Sequence, residues 1–194
     1  MRTPPPNTLL AATLPVLAAA LLAAAGAHAQ MPEAPSLAPM QRLDFLIGTW
    51  EGEGSMEHAP GRRATFTSRE VVEARLGGRV LVVEGLHRAP MPDRPEPVVV
   101  HHALGVLSHD EGDAYRFRTW LANGHDGDFA ARLTADGVLV WGHHDPRRGE
   151  VRYTITIAGG VWHEVGDVRR DDGEWHRFFE MRLTKSSPGE PPAK

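Results

Sequence analysis

The chain has 194 residues, a formal net charge of −4 and no cysteine. The lack of cysteine excludes disulfide bonds, thiolate metal sites, a cysteine nucleophile and a lipid-modified cysteine. The mildly acidic balance and the lack of a basic block argue against nucleic acid as a partner.

The N-terminal segment, residues 1–29, is typical of a secretory signal peptide. A weakly basic start precedes an apolar run from Leu9 to Ala25, and Ala27-His28-Ala29 has the small-x-small pattern of a cleavage site. An uncleaved membrane anchor is the alternative, but the run is short for a spanning helix and no stop-transfer pattern follows. We therefore expect cleavage after Ala29 and an exported protein, periplasmic or secreted, with no membrane span after signal cleavage.

The rest of the chain has the length of one domain. Residues 30–40 are rich in Pro and Ala and predict a flexible mature N terminus. Residues 186–194, SSPGEPPAK, predict a disordered tail. The folded body is expected to span residues 41–185.

This body predicts an all-β meander. Arg42 to Ile47 could form one helical turn, and after it period-two segments alternate with turn signals such as Gly77-Gly78 and Asn123-Gly124. The predicted strands are Thr49–His58, Ala64–Arg75, Arg79–Arg88, Val98–His109, Ala114–Ala122, Asp126–Thr134, Val138–His144, Glu150–Ala158, Val161–Arg170 and Glu174–Thr184. The proline-rich stretch APMPDRPEP is expected to separate the third strand from the fourth.

About ten strands joined by tight turns predict an antiparallel up-and-down sheet. Closure into a barrel would remove its exposed edges, and about eight strands already enclose space for one small ligand. An open sandwich is the alternative. The segment RVLVVEGL is apolar in both phases, so the face that points inward stays open.

A single Trp near the start of the first strand is expected to plug the closed end of the barrel. If the tenth strand pairs with the first, Arg182 and Leu183 lie near Trp50, and Trp175 and His176 lie at the opposite mouth. Arg182 would then cap the Trp50 ring by a cation–π contact. The glycines after Trp50 would let the strand bend sharply.

Gly48-Thr49-Trp50, with Gly52 and Gly54 behind it, resembles the N-terminal signature of calycin-like barrels. It is similar in particular to nitrobindin-type barrels and to lipocalin-like secreted bacterial proteins of unknown function. The resemblance extends more loosely over Leu43 to Lys185, through ALGVLSHD, YRFRTW, VWHEVGD and WHRFFEMRLTK. It implies a barrel that binds a small apolar or amphipathic ligand.

Likeness to the nitrobindins also implies a haem protein acting on nitrogen oxides or peroxynitrite. Nitrobindins bind haem through a histidine on the last strand. In this chain that position falls on Arg177 or Phe178, and His176 is one or two residues away. His176 is therefore the candidate axial ligand for haem.

The candidate ligand-binding residues are aromatic and charged side chains on several strands. Glu164 and Arg182 could pair inside the barrel and bind a polar head group, although an exterior cross-strand salt bridge is the favoured reading. The aromatic residues could equally fill the core or cover the outside. The full set is Trp50, Trp120, Trp162, Glu164, Phe178 and Arg182.

The histidines do not predict a metal site. His101-His102 and His143-His144 are tandem pairs, and because neighbours on a strand point to opposite faces, each pair offers at most one side chain to the interior. A site would need histidines from different strands converging with a carboxylate such as Asp145 or Glu164. Surface positions are the favoured reading.

Catalytic motifs are lacking, and a binding protein is favoured over an enzyme. Ser108-His109-Asp110 holds the three residue types of a hydrolase triad, but adjacent strand residues cannot adopt its geometry. A ligand-free envelope interaction module, with a packed interior and an exposed apolar patch, is a further alternative.

Overall fold

The computed structural model describes residues 35–169 and 173–186. The expected signal peptide and cleavage site lie outside the described residues, as do residues 30–34 and 187–194 of the two expected flexible ends. The described residues from Ser36 onward form one compact unit.

The body is almost entirely β-structure, as predicted. It opens with a short helix, α1 (Ala38–Gln41), and a 3₁₀ turn (Asp44–Leu46), and a second 3₁₀ turn (Leu76–Gly78) joins the second strand to the third. The strands are β1 (Gly48–Ala59), β2 (Arg62–Arg75), β3 (Val80–Met91), β4 (Arg94–His109), β5 (Ala114–Leu121), β6 (Asp126–Leu133), β7 (Leu139–Asp145), β8 (Gly149–Ala158), β9 (Val161–Arg169) and β10 (Trp175–Lys185).

The ten strands close into an antiparallel barrel, which confirms the predicted fold class. Each strand pairs with its sequence neighbours, and β1 completes the ring by pairing with β10, with Trp50 opposite Lys185 and Met56 opposite Phe179. The open sandwich is therefore wrong. None of the described helices is long and apolar enough to cross a bilayer.

The proline-rich stretch was wrongly expected to be a break. β3 continues to Met91 and β4 begins at Arg94, so that only Pro92 and Asp93 form the turn. Pro90, Pro95 and Pro97 lie within the strands, where the β3–β4 ladder is irregular between Ala89 and Met91. Proline is tolerated there because an irregular ladder does not require every backbone N–H.

The N-terminal turns close one end of the barrel. Met40, Leu43 and Leu46 are buried there, and the Tyr115 hydroxyl donates a hydrogen bond of 2.8 Å to the carbonyl oxygen of Pro39. The turns β2–β3, β4–β5, β6–β7 and β8–β9 lie at this closed end, and the remaining hairpin turns surround the opposite mouth.

Trp50 lies at this closed end, only 1% exposed. Its indole Nε1 donates to the carbonyl oxygen of Leu46 at 2.8 Å. The expected cap is wrong, because the cation over the ring is Lys185, whose Nζ lies 5.1 Å from the ring centroid. The side chain of Arg182 is 63% exposed.

The glycines of β1 make room for neighbouring side chains. A Cβ on Gly54 would lie 2.4 Å from the ring of Phe66 and 2.8 Å from the Cβ of Met181. A Cβ on Gly52 would lie 2.2 Å from the carbonyl oxygen of Arg182. Only glycine permits this close approach of β1 to β2 and β10.

Candidate ligand cavity

The barrel encloses a cavity of about 280 Å³ above the closed end. This is close to the lower end of the range for ligand pockets, roughly 300–1,000 Å³. Its walls are apolar and aromatic with a few titratable side chains, and the lining includes Leu46, Met56, Val83, Ala103, Leu107, Phe117, Phe129, Ala131, Leu139, Ile155, Phe179 and Met181. A ligand inside would exchange water for mostly hydrocarbon surroundings.

One wall of the cavity is a cluster of aromatic rings. Trp141 on β7 stacks on Tyr153 of β8, with ring centroids 4.2 Å apart and an interplanar angle of 11°. Phe117 and Phe129 approach the same indole, each with centroids 5.2 Å away. Such packing holds the rings in fixed orientations and presents flat surfaces to a bound molecule.

Glu70 of β2 and His87 of β3 form a buried polar pair at the opposite wall. The Glu70 Oε1 atom lies 3.1 Å from His87 Nε2 and accepts a hydrogen bond from the Ser68 hydroxyl at 3.2 Å. The carboxyl group packs over Gly85, where a Cβ would lie 2.7 Å from Oε2. Gly85 therefore makes room for this acid.

Burial determines the protonation of the pair. It raises the pKa of Glu70 to about 8, against the smaller opposing effect of the Ser68 hydrogen bond. Burial also lowers the pKa of His87 to about 4. At neutral pH the proton therefore stays on the carboxyl group and the imidazole is neutral, so the contact is a hydrogen bond rather than an ion pair.

Glu164 of β9 is a second buried acid facing the cavity. Its Oε2 atom accepts a hydrogen bond of 3.2 Å from the indole Nε1 of Trp162. Burial, with a further contribution from the nearby Glu70, raises the pKa of Glu164 to about 8. Burial of the Tyr153 side chain, with a further electrostatic contribution from Glu164, raises the pKa of Tyr153. The interior at neutral pH is thus a largely uncharged surface with two carboxyl groups.

Two buried nitrogen atoms on β7 have no hydrogen-bond partner among the described residues. They are Nε1 of Trp141 and Nδ1 of His143, and both residues line the cavity. A buried polar atom without a partner costs free energy, so such atoms call for an explanation. A ligand or water at this wall would satisfy them by accepting from the Trp141 indole N–H and by donating to, or accepting from, His143 Nδ1.

The six predicted ligand-binding residues are not brought together. Trp162 and Glu164 line the cavity. Trp50 lies beneath it, with its ring centroid 5.7 Å from that of Trp162. Phe178 is partly buried outside the lining, with its ring 5.7 Å from that of Tyr153.

The last two predicted residues lie on the outside of the barrel. Trp120 is 49% exposed, and Arg182 lies 3.6 Å from Glu180 in an exposed ion pair. Neither the interior pair of Glu164 with Arg182 nor the favoured exterior cross-strand salt bridge between them is therefore formed. Glu164 is buried all the same, because it occupies the inward phase of β9 while Arg182 occupies the outward phase of β10.

The histidines follow the alternation that the tandem pairs predicted. His101 and His143 line the cavity, and His102 and His144 are exposed. The prediction that the histidines occupy surface positions is therefore wrong for His101 and His143. Among the described residues no group of three or more His, Asp or Glu is placed to hold a metal ion.

His176 lies away from the cavity lining. It belongs to a separate polar hollow at the mouth, with residues of the β1–β2 and β7–β8 turns. The interior residues that sequence reasoning missed are Glu70, His87, Trp141 and Tyr153. Only knowledge of the inward phase of each strand could have identified them.

Comparisons with known proteins agree on the fold. No family model matches the chain, and no curated protein matches it. The crystal structure of Rv2717c from M. tuberculosis superposes with a TM-score of 0.60 at 16% identity, covering 79% of this chain and 99% of that chain. The S-type phycobiliprotein lyase CPES from Guillardia theta gives a TM-score of 0.55 at 11% identity, covering 76% and 92%. These likenesses fit a calycin-like barrel and, at such identities, show the fold alone.

Proposed function

We propose that the protein is an exported barrel that binds a small apolar or amphipathic molecule in its interior. The observation that supports this is the cavity of about 280 Å³ with aromatic walls and few polar groups. Removing apolar ligand surface from water contributes about 25 cal/mol per Å². The mechanism is sequestration, in which the carboxyl groups of Glu70 and Glu164 fix the orientation of the ligand.

Export and binding can be tested on one preparation. The full chain is expressed in an exporting host, and the purified protein is weighed by native and by denaturing mass spectrometry. Cleavage after Ala29 predicts a mature chain that starts at Gln30, and a retained ligand adds a small mass in the native spectrum only. An intact N terminus in the cell extract would contradict export.

Binding is then measured with a neutral fluorescent probe, N-phenyl-1-naphthylamine, whose emission rises in apolar surroundings. Ala103 lines the cavity and Leu104, its neighbour on β4, is exposed. Ala103→Trp should occupy the cavity and abolish the fluorescence gain, and Leu104→Trp should leave it unchanged. If both variants bind the probe like wild type, the binding site is not the interior.

The haem alternative is examined by adding hemin to the same preparation. Binding through the residue implied by the nitrobindin likeness would give a Soret band that disappears in His176→Ala. A band that survives in this variant would show that another residue holds the haem. The interaction-module alternative predicted a packed interior, and the cavity argues against it.

A further inference from the structure

We infer that the cavity selects molecules that carry a basic nitrogen on an apolar or aromatic body, and that it excludes anions such as fatty acids. This inference deepens the proposed function and depends on it. It follows from which charged and titratable side chains face the cavity and which do not.

The described lining residues of the cavity include acids, imidazoles and other aromatic rings. The titratable groups that face the cavity come from six strands, and no Lys or Arg side chain is among the described lining residues. They are Glu70 on β2, His87 on β3, His101 on β4, His143 on β7, Tyr153 on β8 and Glu164 on β9. Burial lowers the pKa of His101, like that of His87, to about 4, so both imidazoles are neutral at neutral pH.

An anionic ligand would therefore enter without a Lys or Arg partner among the described lining residues. A carboxylate moved from water into an apolar cavity needs a cation or several donors to offset its lost hydration. Here the lining offers it the indole N–H of Trp141 but no Lys or Arg side chain. When Glu70 or Glu164 loses its proton, the like charge raises the free energy of the complex further. This cavity should thus distinguish an anion from an amine of the same shape.

A basic nitrogen meets complementary groups. Glu164 is only 6% exposed, and apart from the Trp162 hydrogen bond to Oε2 its carboxyl group has no partner among the described residues. The other oxygen, Oε1, is therefore available to an N–H group of a ligand. The stacked rings of Trp141 and Tyr153 line the same cavity, and aromatic faces attract cations.

Binding of an ammonium group also moves a proton. The carboxyl O–H bond of Glu164 breaks, its proton passes to solvent, and the resulting carboxylate pairs with the ammonium group. One proton is released per ligand bound below the pKa of about 8. The affinity for the amine should then rise about tenfold per pH unit and level off near that pKa.

The experiment uses three probes that share one body: phenylbutylamine, phenylbutanol and phenylbutyrate. Each competes with N-phenyl-1-naphthylamine for the exported protein at several pH values. Near pH 8 the amine should bind at least about tenfold more tightly than the alcohol, and the carboxylate should bind most weakly. Calorimetry in two buffers of different ionisation enthalpy should show about one proton released at neutral pH for the amine and none for the alcohol.

Variants test the role of the acids. Glu164→Gln should lower the ratio of amine to alcohol affinity about tenfold, and Glu70→Gln serves as a second test if the first variant does not fold. Glu84→Gln is the matched control, because Glu84 lies on the outside of β3 beside His102. It should leave the ratio unchanged.

The outcomes separate this inference from the proposed function. If the neutral probe does not bind at all, the proposed function fails. If the probe binds but the amine and the alcohol compete equally at every pH, or the carboxylate competes best, only the selectivity for a basic nitrogen is refuted. An amine affinity that Glu164→Gln and Glu70→Gln both leave unchanged would also refute it.

Discussion

Replacing Glu164 by Gln should make the protein more stable than the wild type, and this difference in the free energy of unfolding should grow as the pH rises. In the folded protein the pKa of Glu164 is raised to about 8 from its ordinary value of 4.5, because the side chain is buried. The folded state therefore holds the proton more tightly than the unfolded chain does. The stability that Glu164 contributes is fully present below its pKa in the unfolded chain, and it is lost as the pH rises through its pKa in the folded protein.

The size of the effect follows from the width of that interval. One proton difference changes the free energy of unfolding by about 1.4 kcal/mol per pH unit, so from about pH 5 to about pH 8 the wild type should lose on the order of 4 kcal/mol through this group. Gln has nearly the same shape, and its carbonyl oxygen can accept the Trp162 hydrogen bond. The variant lacks this titration, while Glu70 still titrates in both proteins.

Urea unfolding followed by tryptophan fluorescence at both pH values measures the difference. The two proteins should be nearly equal at about pH 5, and the variant should be clearly more stable at about pH 8. Glu180→Gln is the control, since its hydrogen bond from His163 lowers the pKa of Glu180. This group contributes stability above its unfolded pKa and loses it as the pH falls. A Glu164→Gln difference that is the same at both pH values would refute the reasoning.

Three further outcomes are expected. His87→Gln should unfold less readily in acid than wild type. The pKa of His87 is lowered to about 4 from 6.5, so the stability that this group contributes to the wild type is lost as the pH falls over that interval. Acid titration followed by circular dichroism measures the difference. Gly54→Ala should cost about 1–3 kcal/mol in urea unfolding, because its methyl group meets the Phe66 ring. Trp120→Ala should leave binding of the fluorescent probe unchanged and Trp141→Ala should weaken it, since Trp141 lines the cavity and Trp120 does not. Equal effects would count against the interior site.

Part of the candidate site could be predicted from local sequence. The VWHEVGD strand places Trp162 and Glu164 on one face, and the structure has both against the cavity. Each tandem histidine pair could offer at most one ring to the interior; His101 and His143 point inward, although surface positions were favoured. These successes depend only on the alternation of side chains along a strand.

The chain's order of strands and turns follows from the sequence itself. Period-two segments and turns such as Asn123-Gly124 are local signals, and ten antiparallel strands joined by short turns have few arrangements other than a closed barrel. The opening Gly48-Thr49-Trp50 likewise placed a buried Trp at one end.

The tertiary structure alone decided which face of each strand points inward and what meets there. Glu70 and His87 come from the neighbouring strands β2 and β3, whereas Glu164 comes from β9. Closure of the barrel brings all three around one cavity. Arg182, which was predicted to cap Trp50, points outward, and Lys185 lies over the Trp50 ring instead. The reason is that the register of β10 against β1 depends on side-chain packing around the whole barrel. The protonation of the two acids depends on the water that closure removes, which no local pattern records.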